Sequence, residues 1–455
     1  MAYITRTTGS PMTNQKKFTY SAWLKIGTLG SYLRPIQNYY DGNNRGYILF
    51  CSSSDSASNT FFIYDKEGGT VNYQANTLGK FRDINAWYHV VYRVDSTQAT
   101  QSDRVRFYVN GELQSMSIST NCNQDVNMGF NSAGANLRIG GTEAGAETWN
   151  GLMSHVHFCD GYSYAPTEFG ETDSTTGEWK IKTSPSVTYG NNGFFVFKDD
   201  AAVTDRSGEG NNFTLSGSIT ATKDNPSNNF ATLSPSTIPK NSGSTGISAG
   251  NTRFTNGNAV WQTEASAFGV TSGKWYFEVQ FQNNGGGDRR FRWGYQTQDY
   301  VNKTGNGTVL GGTNANAVAF MTNGYADSYG GYVINTTATN LTSDGDINED
   351  NAVYGFALDL DNRKMYGHFN GTWLNSANPS NGTNGIDISS HVNVGDTLFP
   401  AFTTHLSNIN INFGNGVLDT TALTGTTYND ADGNGIFKYT VPTNYRALCT
   451  KGLNQ

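Results

Sequence analysis

Three acidic side chains, Glu168, Glu171 and Asp173, stand close together in the sequence. Glycosidases cleave sugar chains with two carboxyl groups, one acting as an acid and the other as a base or nucleophile, so such a cluster is a candidate active site. The surrounding segment is rich in Pro, Gly and Thr, which is typical of a loop with solvated carboxylates. We therefore predict that these acids do no chemistry.

A second candidate is a row of metal-ligating side chains. His155, His157 and Cys159 alternate along a predicted strand, so all three could point to one side and bind zinc. Side chains that only pack as half-buried neighbours in a sheet also stand two residues apart. We favour that structural interpretation.

An acidic turn near the carboxyl end is the third candidate. Asp430, Asp432 and Asn434 are spaced like the first ligands of an EF-hand calcium loop, and Gly435 follows them. The bidentate glutamate that such a loop needs at its twelfth position is replaced by Val441. Asp, Asn and Gly are also common in ordinary turns, as in a similar run at 344–350. We predict no cofactor, with calcium at Asp430, Asp432 and Asn434 as the alternative.

Aromatic rings are the better lead to a binding function. Five tyrosines lie in Gly- and Asn-rich segments outside the alternating strands. Rigid rings beside amide and hydroxyl groups suit stacking on sugars or contact with protein, although they could also cap the ends of a sandwich. We predict that the binding residues are Tyr325, Tyr329 and Tyr332 in the long loops of the second half, with Tyr39 and Tyr40 in the first half.

Two hairpins organise the elements that would carry these residues. Ala352 to Trp373 alternates apolar and polar side chains on both sides of a tight turn, and Trp87 to Gly111 repeats the pattern. A hairpin cannot bury its apolar face alone, so each needs a larger antiparallel sheet and a second sheet to pack against. The fold class is therefore all-β, with two β-sandwiches in tandem. We place a first domain at 1–224, a linker rich in Pro, Ser, Gly and Asn at 225–250, and a second domain at 251–455.

The composition excludes some classes of partner. A net charge of −7 at pH 7, with no run of basic residues, argues against a surface that binds nucleic acid. The amino terminus lacks the pattern of a signal peptide, and no apolar stretch is long enough for a membrane helix. We expect synthesis in the cytoplasm and no membrane insertion.

The first half of the sequence resembles a known family. Its motifs follow the order of concanavalin A-like jelly rolls of the laminin-G type: SAWLK, AWYHVVYRVD, VRFYVNGE, LRIGG and WNGLMSHVHFCDG. The next segment resembles an extension that follows such jelly rolls in virion proteins of tailed phages from marine bacteria. Its motifs are SYAPTEFGETDSTTGEWKI, YGNNGFFVFKDD and DRSGEGNNFTLSG. We expect this extension to pack back onto the first sandwich.

The second half resembles the SPRY fold, a two-sheet sandwich related to the same group. Its motifs are SGKWYFEVQF, FRWGY, NAVAFM, AVYGFALDLDNRKMYGHFNGTW, LFPAFTTH and ININFG, in that order. The ending FKYTVPTNYRALCTKGLN is similar to the carboxyl terminus of SPRY-bearing phage structural proteins. The long loop from Asn302 to Asn316 departs from the SPRY domains of immune and signalling proteins, so no partner can be transferred.

These resemblances imply a structural protein of a tailed phage, such as a tail fibre, an appendage tip or a capsid decoration, made in the host cytoplasm and carried on the virion. The implied partners are other virion proteins, further copies of the chain within the particle and a host-surface glycan. Hydrolases of this architecture carry a Glu-X-Asp-X-X-Glu arrangement on one strand face, which is absent here. We therefore predict a protein that is not an enzyme. The alternative is a polysaccharide-degrading enzyme of the same superfamily.

Overall fold

The computed structural model describes residues 2–9, 11–29, 31–51, 57–142, 145–234, 245–258, 260–283, 291–297, 309–311, 317–322 and 330–453. The chain forms two compact units, Met1–Ala221 and Thr222–Gln455. Both consist of antiparallel strands with short helical turns, so the predicted all-β class with two tandem sandwiches is confirmed. The helical turns are Gln101–Arg104, Gly129–Asn131, Pro166–Glu168, Thr342–Asp344, Leu374–Ser376 and Thr450–Leu453. None of these described helices has the length and apolar character needed to cross a membrane.

The described strands of the first unit are β1 (Tyr3–Thr7), β2 (Lys17–Ile26), β3 (Leu33–Tyr39), β4 (Arg45–Phe50), β5 (Phe61–Glu67), β6 (Thr70–Thr77), β7 (Trp87–Asp95), β8 (Val105–Val109), β9 (Glu112–Leu113), β10 (Met116–Thr120), β11 (Asn136–Ile139), β12 (Gly151–Asp160), β13 (Gly170–Thr172), β14 (Trp179–Ile181), β15 (Phe194–Val196) and β16 (Thr214–Ser216). The larger sheet has the order β10-β6-β5-β4-β3-β11-β1-β16, and the smaller has the order β15-β12-β2-β7-β8-β9.

The facing sides of these two sheets form one apolar core. Phe18 of β2 stacks on Phe130 with ring centroids 5.1 Å apart, and Tyr92 of β7 meets Phe18 edge-on. Successive side chains of a strand alternate between its two faces, so each sheet also has an outward row of side chains.

A buried carboxylate holds the turn Gly129–Asn131 against the larger sheet. Asp65 of β5 accepts hydrogen bonds from the backbone N–H groups of Gly129 (2.9 Å) and Phe130 (2.8 Å). Burial raises the pKa of Asp65 to about 7, although these donors act in the opposite direction. The turn thereby fixes Phe130 in the core.

The described strands of the second unit are β17 (Thr245–Ser248), β18 (Arg253–Asn256), β19 (Gln262–Ala265), β20 (Lys274–Asn283), β21 (Phe291–Thr297), β22 (Ala317–Met321), β23 (Gly331–Ile334), β24 (Thr337–Asn340), β25 (Val353–Asp359), β26 (Lys364–Phe369), β27 (Thr372–Trp373), β28 (Ile386–Asp387), β29 (Leu398–Thr404), β30 (Ser407–Asn412), β31 (Val417–Leu418), β32 (Thr421–Ala422), β33 (Tyr428–Asn429), β34 (Ile436–Phe437) and β35 (Arg446–Ala447). One sheet has the order β17-β18-β30-β20-β25-β26-β27, with β28 beside β26 and β35 parallel to β20, and the other has the order β19-β29-β21-β22-β23-β24.

The predicted hairpin of the second unit is confirmed in its register. Phe356 of β25 faces Gly367 of β26, and Leu358 faces Met365. Phe356, Leu358 and Met365 are fully buried in the core of this unit, because the alternation places all of them on the inward face.

Residues 225–234 and 245–250, which we expected to form a linker, belong to the second unit. Phe230, Ala231 and Leu233 are fully buried, and the backbone N–H of Ala231 donates to the carbonyl of Leu448 at 2.9 Å. The remaining expected linker residues, 235–244, lie outside the described part of the chain. Isolated apolar residues in a Pro- and Ser-rich stretch are thus anchored by residues that lie far away in the sequence.

Candidate functional site

Two neighbouring strands of the larger sheet in the first unit turn aromatic rings outward. Tyr47 of β4 and both Phe62 and Tyr64 of β5 are half-buried, whereas Ile48 and Ile63 beside them are fully buried in the core. Strand alternation produces this division, since every second residue faces away from the core. The outward residues are therefore placed by the packing of their inward neighbours.

The three outward rings, Tyr47, Phe62 and Tyr64, form a contiguous surface that we call the aromatic platform. Tyr47 lies directly opposite Tyr64 across β4 and β5, and their rings stack with centroids 5.2 Å apart at an interplanar angle of 22°. The Phe62 centroid lies 6.0 Å from that of Tyr47 and 6.3 Å from that of Tyr64. The platform is a rigid, half-exposed group of rings that carries two polar hydroxyl groups.

Two arginines flank the platform. The guanidinium carbon of Arg34 lies 3.9 Å from the Tyr47 ring centroid, and that of Arg45 lies 5.5 Å from the Tyr64 centroid. Both distances suit a cation–π contact. Arg34 also forms an ion pair with Glu147. Burial lowers the pKa of Arg34 and raises the pKa of Tyr47, so the phenol at this position stays neutral at ordinary pH.

Further polar side chains extend the same face. Gln74 faces Tyr64 across β5 and β6, and Tyr39 faces Arg45 across β3 and β4. Tyr39 was predicted as a binding residue from its sequence context. The structure places it beside a group of rings that the sequence analysis did not single out.

Tyr40 continues from Tyr39 into an ordered turn. Its side chain is 57% exposed. The Asp41 carboxylate accepts the backbone N–H groups of Asn43 (2.7 Å) and Asn44 (2.8 Å), and the bond from Asn43 lowers the pKa of Asp41. An exposed ring is therefore held next to Tyr39 on a turn with fixed backbone geometry.

Of the other predicted tyrosines, the structure describes Tyr332. Tyr332, which we expected in a loop, lies in strand β23 of the second unit and packs half-buried against the core of that unit. The alternation of a strand, and not exposure in a loop, determines its position. Tyr325 and Tyr329 lie outside the described residues.

The outward face of the smaller sheet is covered by the chain itself. Trp179 of β14 stacks on His89 of β7 and donates its indole N–H to His89 Nδ1 at 3.0 Å. An indole can only donate, so His89 Nε2 carries the proton and donates it to Ser21 Oγ at 2.8 Å. Burial lowers the pKa of His89 to about 3, which keeps the ring neutral. The expected packing of the extension on the first sandwich is confirmed.

The acidic cluster in this extension stabilises a turn. Asp173 accepts the backbone N–H groups of Thr175 (2.9 Å) and Thr176 (2.7 Å) and forms an ion pair with Lys180. Glu171 is exposed in β13, and Glu168 lies in the preceding helical turn. These contacts are those of turn-forming carboxylates.

The histidine row is interrupted by a β-bulge between Ser154 and His157, and His155 adopts a φ of 48°. The rings of His155 and His157 have centroids 6.4 Å apart. His157 stacks on Phe195 at 4.0 Å and hydrogen-bonds through Nδ1 to the hydroxyl of Tyr189 at 2.9 Å. In the described part of the chain, no three His, Cys, Asp or Glu side chains are grouped to hold a metal ion.

Three carboxylate oxygens of the calcium candidate already accept hydrogen bonds from the protein. Asp430 accepts the backbone N–H of Gly435 at 2.8 Å through Oδ1 and that of Ala447 at 2.9 Å through Oδ2. Asp432 Oδ2 forms an ion pair with Arg446 Nε at 2.7 Å. Asn434 lies in the same exposed turn. The two carboxylates thus tie the turn to the strand β35.

The second unit also buries a carboxylate under its own carboxyl-terminal segment. Glu278 accepts the backbone N–H groups of Lys438 and Tyr439, both at 2.8 Å, and the hydroxyl of Tyr276 at 3.1 Å. Tyr276 Oη in turn lies 2.6 Å from His368 Nε2. An acid, a phenol and an imidazole in series could transfer protons, but Glu278, Tyr276 and His368 are at most 1% exposed, so a substrate cannot reach them. Their role is to anchor the segment.

The sequence analysis did not identify the platform, whose rings lie in the segments YILF and FFIYDKE. The informative signal lies in β5, where Phe62 and Tyr64 alternate with the core residues Phe61 and Ile63. A strand that is aromatic on both faces either is covered on its second face or presents rings to solvent.

Comparison with known proteins supports the fold of the first unit. Residues 2–166 match the laminin G family model of the concanavalin A-like lectin/glucanases superfamily. No curated protein sequence matches the chain.

Among solved structures, the chain is similar to a candidate carbohydrate-binding protein from Bacteroides ovatus, with 16% identity over 48% of this chain and 56% of that protein and a TM-score of 0.32. The match therefore spans little more than half of that protein. The PSpry domain of TRIM65 has 12% identity over 40% of this chain and 91% of that domain, with a TM-score of 0.28. The SPRY domain of human HERC1 has 13% identity over 35% of this chain and 87% of that domain, with a TM-score of 0.25.

The family match confirms that the first unit has the concanavalin A-like, laminin-G-type fold that its motifs predicted.

Proposed function

We propose that this chain is a non-catalytic glycan-binding protein and that the aromatic platform is its binding face. The observation that carries the proposal is the stack of Tyr47 on Tyr64 beside Phe62, which leaves three rings half-exposed on one sheet face. Sugar rings have apolar C–H faces edged by hydroxyl groups, so they stack on aromatic rings and hydrogen-bond to adjacent amides.

The shape of the face favours a chain of sugars over a single sugar. The platform is a sheet surface, and it continues through Arg45 to Tyr39 and, on the other side, to the half-exposed amide of Gln74. A flat surface of this kind buries one side of an extended ligand, whereas a single small sugar needs a concave pocket to bury most of its surface.

The fold and the placement of the acids support binding without catalysis. The superfamily that matches residues 2–166 includes both lectins and glucanases by its name, so the fold supports a carbohydrate ligand and the placement of the acids bears on catalysis. The strongest acidic candidate, Asp173, is engaged in a turn and an ion pair, and the buried Glu278 is out of reach of a substrate.

We also propose that the protein is carried on the virion of a tailed phage, as a tail fibre, an appendage tip or a capsid decoration, after synthesis in the host cytoplasm. The resemblance of the extension and of the carboxyl-terminal motifs supports this placement. The partners would be other virion proteins, further copies of the chain and a glycan of the host surface. Mass spectrometry of purified particles tests it, and the copy number per particle separates capsid decoration from a tail fibre.

The full chain tests the glycan proposal in affinity electrophoresis through gels that contain different soluble polysaccharides. We expect retardation by at least one polysaccharide and no release of reducing ends when the same polysaccharide is incubated with the protein. Release of reducing ends would identify the alternative, a polysaccharide-degrading enzyme. Unretarded migration in every gel would refute the binding function.

A further inference from the structure

Two cations of the platform face lie directly opposite each other. Arg45 of β4 pairs with Lys66 of β5 in the strand register, and both side chains are half-exposed. Like charges at directly opposed positions of an antiparallel pair destabilise a sheet. The fold therefore holds this pair at a cost to its own stability.

Acidic side chains do little to neutralise the charges of these two cations. Within the described residues, Arg34 is paired with Glu147, but neither Arg45 nor Lys66 forms an ion pair. Lys66 Nζ instead contacts the carbonyl of Gly42 at 3.1 Å and Oδ1 of Asn43 at 3.3 Å. These neutral oxygens orient the ammonium group without neutralising it.

Two other acids lie near this region, and both are engaged elsewhere. Asp41 attracts Lys66 at longer range, yet its Oδ1 already accepts two backbone N–H groups. Glu67 accepts hydrogen bonds from Gln15 and from Ser132, on the opposite side of β5. Burial is the main cause of the lowered pKa of Arg34, and repulsion from Arg45 adds to it.

This pair of positive charges, Arg45 and Lys66, stands against the composition of the whole chain. The protein carries a net charge of −7, and positive residues are outnumbered by acids, 30 to 37. A positive pair beside a stack of rings is therefore not a result of a generally basic surface. Charge complementarity favours an acidic ligand at this face.

Resting on the glycan-binding function proposed above, we propose that the ligand of the platform is an acidic polysaccharide, whose sulfate or carboxylate groups bind Arg45 and Lys66 while its sugar rings pack on the exposed side of the aromatic platform. Arginine provides a planar fork that matches both anions, and lysine adds a flexible point charge.

The test uses the full chain and pairs of polymers that differ only in charge. The pairs are dextran with dextran sulfate and methyl-esterified polygalacturonate with polygalacturonate. We expect affinity for the charged member of at least one pair to be higher by about tenfold or more at low salt. The difference should shrink when NaCl is raised from about 0.05 M to about 0.5 M, because exposed charges are screened.

Matched variants show which residues cause the preference for the charged polymer. Replacing both cations, Arg45→Gln with Lys66→Gln, should remove the preference, so that the affinity for the charged polymer falls to about that for its neutral counterpart. The control, Lys180→Gln with Lys182→Gln, changes the net charge equally at exposed positions of the β13–β14 hairpin and should keep the preference. Melting temperatures of both variants check that the fold is intact.

The outcomes separate the two proposals. Equal affinity for both members of every pair would overturn the acidic-ligand inference and leave glycan binding standing. A preference retained by the Arg45 and Lys66 double variant would also overturn it, because the site that binds the acidic groups would then lie elsewhere. Equally tight binding of poly-L-glutamate would overturn it too, because the site would then recognise any polyanion. Failure of all four polysaccharides, followed by failure of a wider panel, would refute both proposals.

Discussion

Tyr47 and Tyr64 stand opposite each other across β4 and β5, and their rings stack with centroids 5.2 Å apart on the outward face of the sheet. Their inward neighbours Ile48 and Ile63 are fully buried and fix the two strands in register. The rings are therefore held in place before any ligand binds. A ligand that binds to them avoids the entropic cost of ordering two free side chains.

Replacing Tyr47 and Tyr64 together with alanine should weaken polysaccharide binding by about tenfold or more, since a central aromatic contact typically contributes about 2 kcal/mol. The free energy of unfolding should fall by only about 1–2 kcal/mol, because both rings are half-exposed and what is lost is a cross-strand pair. Titration calorimetry and thermal melting measure the two quantities.

Tyr428→Ala is the matched control for this variant. Tyr428 lies in the second unit and is 37% exposed, so its removal should leave the affinity unchanged and lower the free energy of unfolding by less than the double variant does. Unchanged affinity in the double variant would exclude the platform as the binding face.

Gly129→Ala should destabilise the first unit by about 1–3 kcal/mol, the usual range for overpacking. A Cβ at this position would overlap the carbonyl oxygen of Lys66 and lie 2.9 Å from that of Arg45. The two strands under the platform would have to move apart. Chemical denaturation measures the loss, and Gly42→Ala, which meets nothing within 4 Å, should be nearly silent.

Some of this architecture follows from the sequence because the information is local. The hairpin of β25 and β26 was predicted with its inward residues, since a tight turn between two alternating strands leaves little freedom in register. The platform was not predicted, because Tyr47 and Tyr64 stand on strands whose register is set by the buried residues of the whole sheet. Their separation in the sequence gives no indication that the rings meet.

Long-range anchoring limits prediction in the same way. Phe230 looks like an isolated apolar residue in a polar stretch, yet it is fully buried and forms a β-bridge with Cys449. Trp179 lies in a segment that reads as a loop, yet it covers His89 on the smaller sheet. In both cases the partner is decided by tertiary packing. Local pattern alone cannot identify it.

Adding a chelator should leave the melting temperature unchanged, because both oxygens of Asp430 accept backbone N–H groups and Asp432 pairs with Arg446. Asp430→Ala should lower stability by about 2 kcal/mol or more, since it leaves two buried N–H donors without partners. Asp432→Ala removes a partly exposed ion pair and should cost less than about 1 kcal/mol. Calcium-dependent stabilisation, equally abolished by both substitutions, would instead establish a metal site.

The pH dependence of the second unit should be governed in part by Glu278. Burial raises the pKa of this carboxyl from 4.5 to about 7, so the folded state holds the proton more tightly than the unfolded state does. The resulting stabilisation is fully present below about pH 4.5 and is lost as the pH rises through about 7, by up to roughly 3 kcal/mol.

Glu278→Gln isolates this contribution, because glutamine stays neutral at every pH while the volume of the side chain is kept. The buried histidines His89 and His368, whose pKa values are lowered to about 3, act in the opposite direction at acid pH, but they contribute equally to both proteins. The stability of Glu278→Gln relative to the unaltered chain should therefore rise between about pH 5 and pH 8, whatever constant offset the lost carboxylate oxygen introduces. The exposed Glu349→Gln should show no such trend in the same calorimetric series. A pH-independent difference for Glu278→Gln would mean that the four donors around the carboxylate, from Lys438, Tyr439, Asn412 and Tyr276, outweigh its burial and keep it ionised.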